Sequence, residues 1–162
     1  MTIQTPITDL LDAHHVTYRR LPHAEPVFTI EAAAAQRGVV RDEMVKAILL
    51  REAAGQRRFV MACCLGDDRV DPKAVRAYLA GDWRRLTFAS DDEIRQVTAA
   101  VKGAVAPLAL PASIPVIFDQ AIACCTNVNI SSGDVMLGLE LAAADLVRLS
   151  GARLAPIASQ DP

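Results

Sequence analysis

The chain has 162 residues, 52% of them hydrophobic, which is enough for one core and one domain rather than two. A formal net charge of −2 excludes a broad nonspecific nucleic-acid binder and confines any RNA contact to a local patch. No charged leader precedes an apolar segment and no apolar run reaches membrane-spanning length, so the expectation is a soluble, cytoplasmic protein with no membrane or DNA partner.

Thr5-Pro6, followed by Ile7, Leu10 and Leu11, marks a capped first helix that ends at His14 and His15. Residues 16–21 read as a strand closed by Pro22 and a turn at Pro26. Thr29 can cap the helix IEAAAAQR, which Gly38 ends. The stretch VVRDEMVKAILLR then sets Lys46 on one strand face with Met44, Ile48 and Leu50. The chain holds three lysines against fourteen arginines, so a lysine in this apolar row is not the default choice. Lys46 can be a solvated charge guarding an edge strand or a charge placed at the mouth of a cleft, and this stretch by itself favours the former.

A turn over residues 51–57, containing Gly55, joins this strand to RFVMACCL, so the two form a hairpin within a sheet, which weakens the edge reading of Lys46. Asp71-Pro72 starts a helix that Gly81 ends, and Ser90 and Glu93 form a capping box for the next. Residues 86–88, 114–119, 127–131 and 135–141 are further strands, and residues 143–149 form a last helix stopped by Gly151. Between them lie two loops rich in small residues: Lys102 to Pro107, whose glycine lets backbone approach a ligand closely, and the turn Ser131-Ser132-Gly133-Asp134. Each by itself is an ordinary turn. The elements together predict an α+β fold: a single domain, residues 1–155, with a mixed, strongly curved β-sheet of about seven strands flanked by helices, and a flexible tail over 156–162.

Familiar catalytic signatures are missing: there is no GxSxG, GxxxxGK[ST], GxGxxG or HExxH. The cysteines occur as adjacent pairs, Cys63-Cys64 and Cys124-Cys125, which fits neither a CxxC metal site nor a disulfide framework, so they read as reduced and mostly buried. With three histidines and no HxxxH, no metal and no cofactor is expected.

The order VKAILL in a hairpin, GAVAP after a helix, IPVIFD, then NISSGDVMLGLEL running into AAADLVRL resembles the YbaK/ProX family of aminoacyl-tRNA deacylases, over about residues 5 to 152. That family is related to the editing domain of bacterial prolyl-tRNA synthetase. The resemblance implies a hydrolase that removes a small wrong amino acid from tRNA, chiefly tRNA for proline, acting in trans on the aminoacyl-tRNA 3′ end, with prolyl-tRNA synthetase as a candidate partner. It implies Lys46 as the essential lysine and Gly103 as a catalytic backbone position. Pro107 completes a Gly-x3-Pro loop, and Ser131, Ser132 and Gly133 form a substrate-binding turn. The sequence departs from the cysteine-specific members at Ala47, where they carry threonine, at Asp134-Val135-Met136, and at Gly138, where they carry aspartate. Such departures put a cysteine preference in doubt and leave the reaction standing. Two rivals remain: a non-catalytic RNA-end or small-molecule binder of the same fold, and an enzyme using Lys46 as a Schiff-base nucleophile. Basic side chains available to an acceptor stem are Arg19, Arg20, Arg57, Arg58, Arg69, Lys73, Arg76, Arg84 and Arg85.

Overall fold

Local capping chemistry explains most of the helices in the computed structural model, which describes residues 2–159. Thr5 and Thr8 exchange side-chain and backbone bonds at the start of α1 (Pro6–Ala13), and β1 (Tyr18–Pro22) follows. Thr29 accepts from the Ala32 N–H to open α2 (Ile30–Arg37), and Gly38, at φ +68°, closes it. A hairpin joins β2 (Val45–Glu52) to β3 (Phe59–Leu65), and a short β4 (Arg69–Val70) leads into α3 (Pro72–Tyr78), capped by Asp71. After β5 (Leu86–Phe88), Ser90 and Glu93 form the capping box of α4 (Asp91–Thr98). The chain continues through β6 (Val116–Asp119), β7 (Asn127–Ser131), β8 (Leu137–Ala142) and α5 (Ala143–Ser150) to β9 (Arg153–Ala155) and β10 (Ala158–Ser159).

The α+β class and the mixed sheet agree with expectation, but the strands do not form one sheet of seven. Among the described residues ten strands form three sheets, in the orders β5-β2-β3-β6-β9, β1-β8-β7 and β10-β4. The five-stranded sheet is antiparallel from β5 to β3 and parallel from β3 to β9. Its two faces bury different cores. Val45, Leu49, Met61, Cys63 and Phe118 pack with α1, α5 and the β1-β8-β7 sheet, whereas Leu50, Val60, Ala62, Cys64 and Ile117 pack with Val75, Trp83 and Ile157.

Of the tail expected beyond residue 155, Ile157 and Ala158 belong to this second core. Ile157 is fully buried, and the N–H groups of Ile157 and Ala158 both donate to Asp119 Oδ1 at 3.0 Å. The Ile157 carbonyl in turn accepts from Asp71 N–H at 2.8 Å, which ties the C-terminus to the start of α3. A buried isoleucine, these three hydrogen bonds and the β10–β4 pairing hold residues 157–159, whose composition is otherwise that of a loose end. Residues 160–162 lie outside the described residues.

The far end of the hairpin is held by one carboxylate. Glu52 is buried and accepts from the Arg58 backbone N–H, Arg58 Nε, Arg58 Nη2 and the Arg84 N–H, at 2.8–3.1 Å. The hydrogen bonds from the Arg58 side chain, then that from Arg84, hold its pKa down at about 2. The Arg58 guanidinium also sits 4.2 Å from the Trp83 ring centre and Arg76 Nε donates to the Trp83 carbonyl at 2.8 Å, so these two of the nine basic candidates are engaged by the fold, whereas Arg84 bonds Glu52 through its backbone N–H and stays exposed. Among the described residues no helix is long and apolar enough to cross a membrane, and no group of three or more His, Cys, Asp or Glu side chains could hold a metal ion.

Candidate active site

The register of β2 decides where a site can form. Gly66 N–H donates to the Met44 carbonyl at one end of the hairpin and Glu52 N–H to the Arg58 carbonyl at the other, so even-numbered residues of β2 bond to β3. Odd-numbered residues present their backbone to the opposite side. There β5 pairs only with Leu50–Glu52, and Ala89 N–H adds one bond to the Leu49 carbonyl. At the other end a single bridge links Met44 to Asn129 of β7. Between these two contacts, among the described residues, no strand pairs with β2, and the amide and carbonyl of Ala47 face a cavity of about 430 Å³. The hairpin expectation therefore holds, yet the β2 half that carries Lys46 is an edge after all.

The cavity brings together segments far apart in the chain: Phe28 and Thr29 before α2 with Ile30 and Ala33 on it, residues 44–49, Phe88, Ala89 and Asp91, the Lys102-Gly103 loop and Ser131. Of the residues singled out from sequence, it gathers Lys46, Gly103 and Ser131. Lys46 is half-buried beside Cys64, and its Nζ donates to the Asp68 carbonyl at 2.7 Å. The Cys64 thiol bonds the same carbonyl at 3.2 Å. Burial pushes the Cys64 pKa up to about 11 although Lys46 pulls the other way, and burial also raises Cys63, so both stay thiols at neutral pH. The other pair differs from expectation: Cys125 is half-buried and Cys124 exposed.

Gly103 is required by packing. At φ +93° it lies where side-chained residues rarely sit, and a Cβ there would come within 2.8 Å of Phe28 Cα and 3.0 Å of the Phe28 carbonyl oxygen. The close approach expected of this loop toward a ligand is, at Gly103 itself, an approach to the Phe28 backbone. Ser131 Oγ donates to the Gly103 carbonyl at 3.3 Å and fixes the loop from the other side.

Pro107, Ser132 and Gly133 do not line the cavity. Pro107, the last residue of the Gly103 loop, is buried. Ser132 is fully buried, and its Oγ donates to the Leu137 carbonyl at 2.7 Å, which braces the turn. Gly133, at φ +94°, donates its N–H to the Ala104 carbonyl at 3.0 Å, locking that turn to the Gly103 loop. Ser132 and Gly133 thereby brace the wall that Gly103 and Ser131 present.

Beside the cavity, behind Met44, lies an interlock the sequence did not announce. Arg37 donates from Nε to His23 Nε2 at 3.0 Å, and its Nη1 lies 3.8 Å from the Met44 sulfur. His23 Nδ1 faces the Val135 carbonyl at 2.8 Å, so this ring is neutral with its proton on Nδ1. Burial lowers the His23 pKa, assisted by the Arg37 charge, and burial brings Arg37 down to about 10. The space for Arg37 is provided by Gly138, where a Cβ would overlap the guanidinium.

Residues 24–149 match the family model for the aminoacyl-tRNA editing domain, and the chain belongs to that family. Its relatives include the prolyl-tRNA editing protein ProX of Acetoanaerobium sticklandii, 27% identical over 143 residues, covering 86% of this chain and 85% of that protein. The chain is 33% identical over 100 residues to the proline–tRNA ligase of Trichlorobacter lovleyi, covering 62% of this chain but only 17% of the ligase. Among solved structures, the hypothetical protein APE2540 superposes with a TM-score of 0.81 at 27% identity, over 96% of this chain and all of that one.

Proposed function

We propose that the protein is a trans-editing hydrolase that deacylates tRNA carrying a small non-cognate amino acid, with tRNA for proline as the carrier and prolyl-tRNA synthetase as the enzyme whose errors it corrects. Support comes from the family, from the prolyl-tRNA editing relative, and above all from the convergence of Lys46, Gly103 and Ser131 on one cavity beside an unpaired strand edge.

The reaction adds water across the ester joining the amino acid's carboxyl carbon to a terminal ribose oxygen. The C–O bond breaks, the amino acid leaves as a free acid, and the ribose hydroxyl is restored. An aminoacyl ester is activated, so positioning and charge stabilisation supply much of the catalysis, and no covalent nucleophile is needed. The neutral thiols of Cys63 and Cys64 agree with that. Lys46 supplies a positive charge for the terminal phosphate or the ester. Backbone N–H groups of the Gly103 loop and of Ala47 at the open edge take up charge developing on the ester oxygen, while the ribose's neighbouring hydroxyl assists the attacking water. The largely apolar wall of Ile30, Ala33, Val45, Leu49 and Val105 suits alanine, serine, threonine or cysteine.

Single-turnover deacylation of alanine, serine, threonine and cysteine on tRNA for proline tests the reading. Release of one amino acid by the wild type, lost in Lys46→Ala, is the expected result. Equal rates in both proteins would remove Lys46 from the chemistry, and no release from any charged tRNA would favour a non-catalytic binder.

A further inference from the structure

We infer that the cavity's rim is a seat for the 3′-terminal nucleotide itself, in which Phe28 and Phe88 hold the base and Lys102 holds its phosphate. This rests on the editing function proposed above.

The two rings are exposed where exposure is unfavourable. The chain has four phenylalanines; Phe118 is fully buried and Phe59 partly so, while Phe28 and Phe88 are 60% and 59% exposed. Both border the same cavity, although one precedes α2 and the other lies on β5. Scattered exposed apolar side chains need no explanation, but two aromatic rings flanking one opening form a surface suited to a flat partner.

The charges around the opening select which flat partner. Lys102, exposed, lines the cavity together with Lys46, so two of the chain's three lysines are placed here. Asp91, at the first position of α4, also lines it, with an exposed carboxylate. A charged tRNA end carries three features in a short space: an unstacked base, an anionic phosphate, and the cationic amino group of the attached amino acid. Aromatic faces, a lysine and a carboxylate answer them in turn. Ring faces with a flanking cation form the general device by which proteins hold single-stranded nucleic acid ends, and it is tolerant of base identity. A backbone constraint adds to this: Phe28's own Cα and carbonyl are pressed against Gly103, so the ring is anchored to the loop proposed to act on the ester.

The test uses an acceptor-stem microhelix ending in 2-aminopurine with alanine joined through a non-hydrolysable amide. Fluorescence of 2-aminopurine falls when it stacks on an aromatic ring. The wild type should quench the signal on binding. Phe28→Ala and Phe88→Ala should each weaken binding by about 5- to 150-fold and reduce the quench, while Phe88→Tyr, which keeps the ring, retains both. Lys102→Met should lower the slope of log affinity against log salt by about 0.7. Both rings are exposed, so the variants should melt within a few degrees of wild type, which separates lost contact from lost fold. A wild type that hydrolyses charged tRNA yet leaves 2-aminopurine unquenched, or alanine variants that bind as tightly, would overturn the seat and leave the editing reading intact. Concentration-dependent self-association abolished by the alanine variants, without quenching, would assign the rings to a protein contact and likewise overturn it. Failure of the wild type to hydrolyse any charged tRNA would strike the editing reading first and the seat with it.

Discussion

Gly103→Ala offers a quantitative test of how the candidate active site is built. Two costs act together. Placing a side-chained residue at φ +93° costs about 1–2 kcal/mol. The new methyl would also stand 2.8 Å from Phe28 Cα, so the two backbones must part by about 0.6 Å to reach ordinary contact at 3.4 Å. Forced overpacking of this kind costs about 1–3 kcal/mol, because backbone, unlike a side-chain tip, cannot swing aside. The expected total is about 3 kcal/mol, or a fall in Tm of about 6–12 °C for a domain of this size. Gly38→Ala is the matched control: φ is +68° there, but nothing lies within 4 Å of the added carbon, so only the conformational cost of about 1 kcal/mol remains. Thermal and urea unfolding of both variants, with single-turnover deacylation alongside, measure the difference. Gly103→Ala should also deacylate slowly, because any relaxation shifts the loop or Phe28 at the cavity wall. If the two variants unfold together, the contact with Phe28 is not what demands glycine at 103.

Three further expectations concern the surrounding fold. Glu52 has a folded pKa of about 2 against an ordinary value of 4.5, so its stabilisation is complete above pH 4.5 and is lost as pH falls toward 2; Glu52→Gln should be less stable at pH 7 and lose less on acidification, as followed by urea unfolding from pH 7 to 2. Ile157→Ala should cost about 2–5 kcal/mol in the same assay, whereas a flexible tail would lose nothing. His23 is neutral in the fold with a pKa below 6.5, so it contributes stability above pH 6.5 that falls away as pH drops toward the folded value; Arg37→Met should raise that pKa, measured by NMR titration of the ring, and an unchanged titration would show that Arg37 does not act on the ring.

Helices were legible in the sequence because each carries its own punctuation: Thr5-Pro6, Thr29 with Gly38, Asp71-Pro72, and Ser90 with Glu93 all act within one turn of chain. The β2–β3 hairpin was legible for a similar reason. What stayed hidden was set at a distance. The strands β4, β9 and β10 span two or three residues, too few to show an alternating pattern, and they exist because Asp119 and Ile157 draw the C-terminus back to α3. How far β5 runs along β2 cannot be found in either strand alone, and that length decides whether Lys46 sits inside a sheet or on an edge. The order of short motifs pointed to Lys46, Gly103 and Ser131, whereas Phe28 and Phe88 belong to no motif and Lys102 only opens the loop that carries Gly103. Lys102 carries one signal of its own, the scarcity of lysine in this chain. The Arg37–Gly138 interlock was out of reach because 101 positions separate the two residues in the chain.

The open stretch of β2 also places a demand on the folding and storage of the protein. A strand edge with its amides and carbonyls directed outward is a template on which another extended chain can grow, and most proteins blunt such edges with a bulge, a proline or a covering strand. Here any of these would close the cavity. The Phe28 segment and the Lys102-Gly103 loop instead form other walls of the cavity that Ala47 lines, so an intruding strand has to share that space with them. Loosening those walls would therefore expose a seed for cross-β assembly as well as impair the site, and variants of the Gly103 loop should be judged by their solubility over time as much as by their turnover.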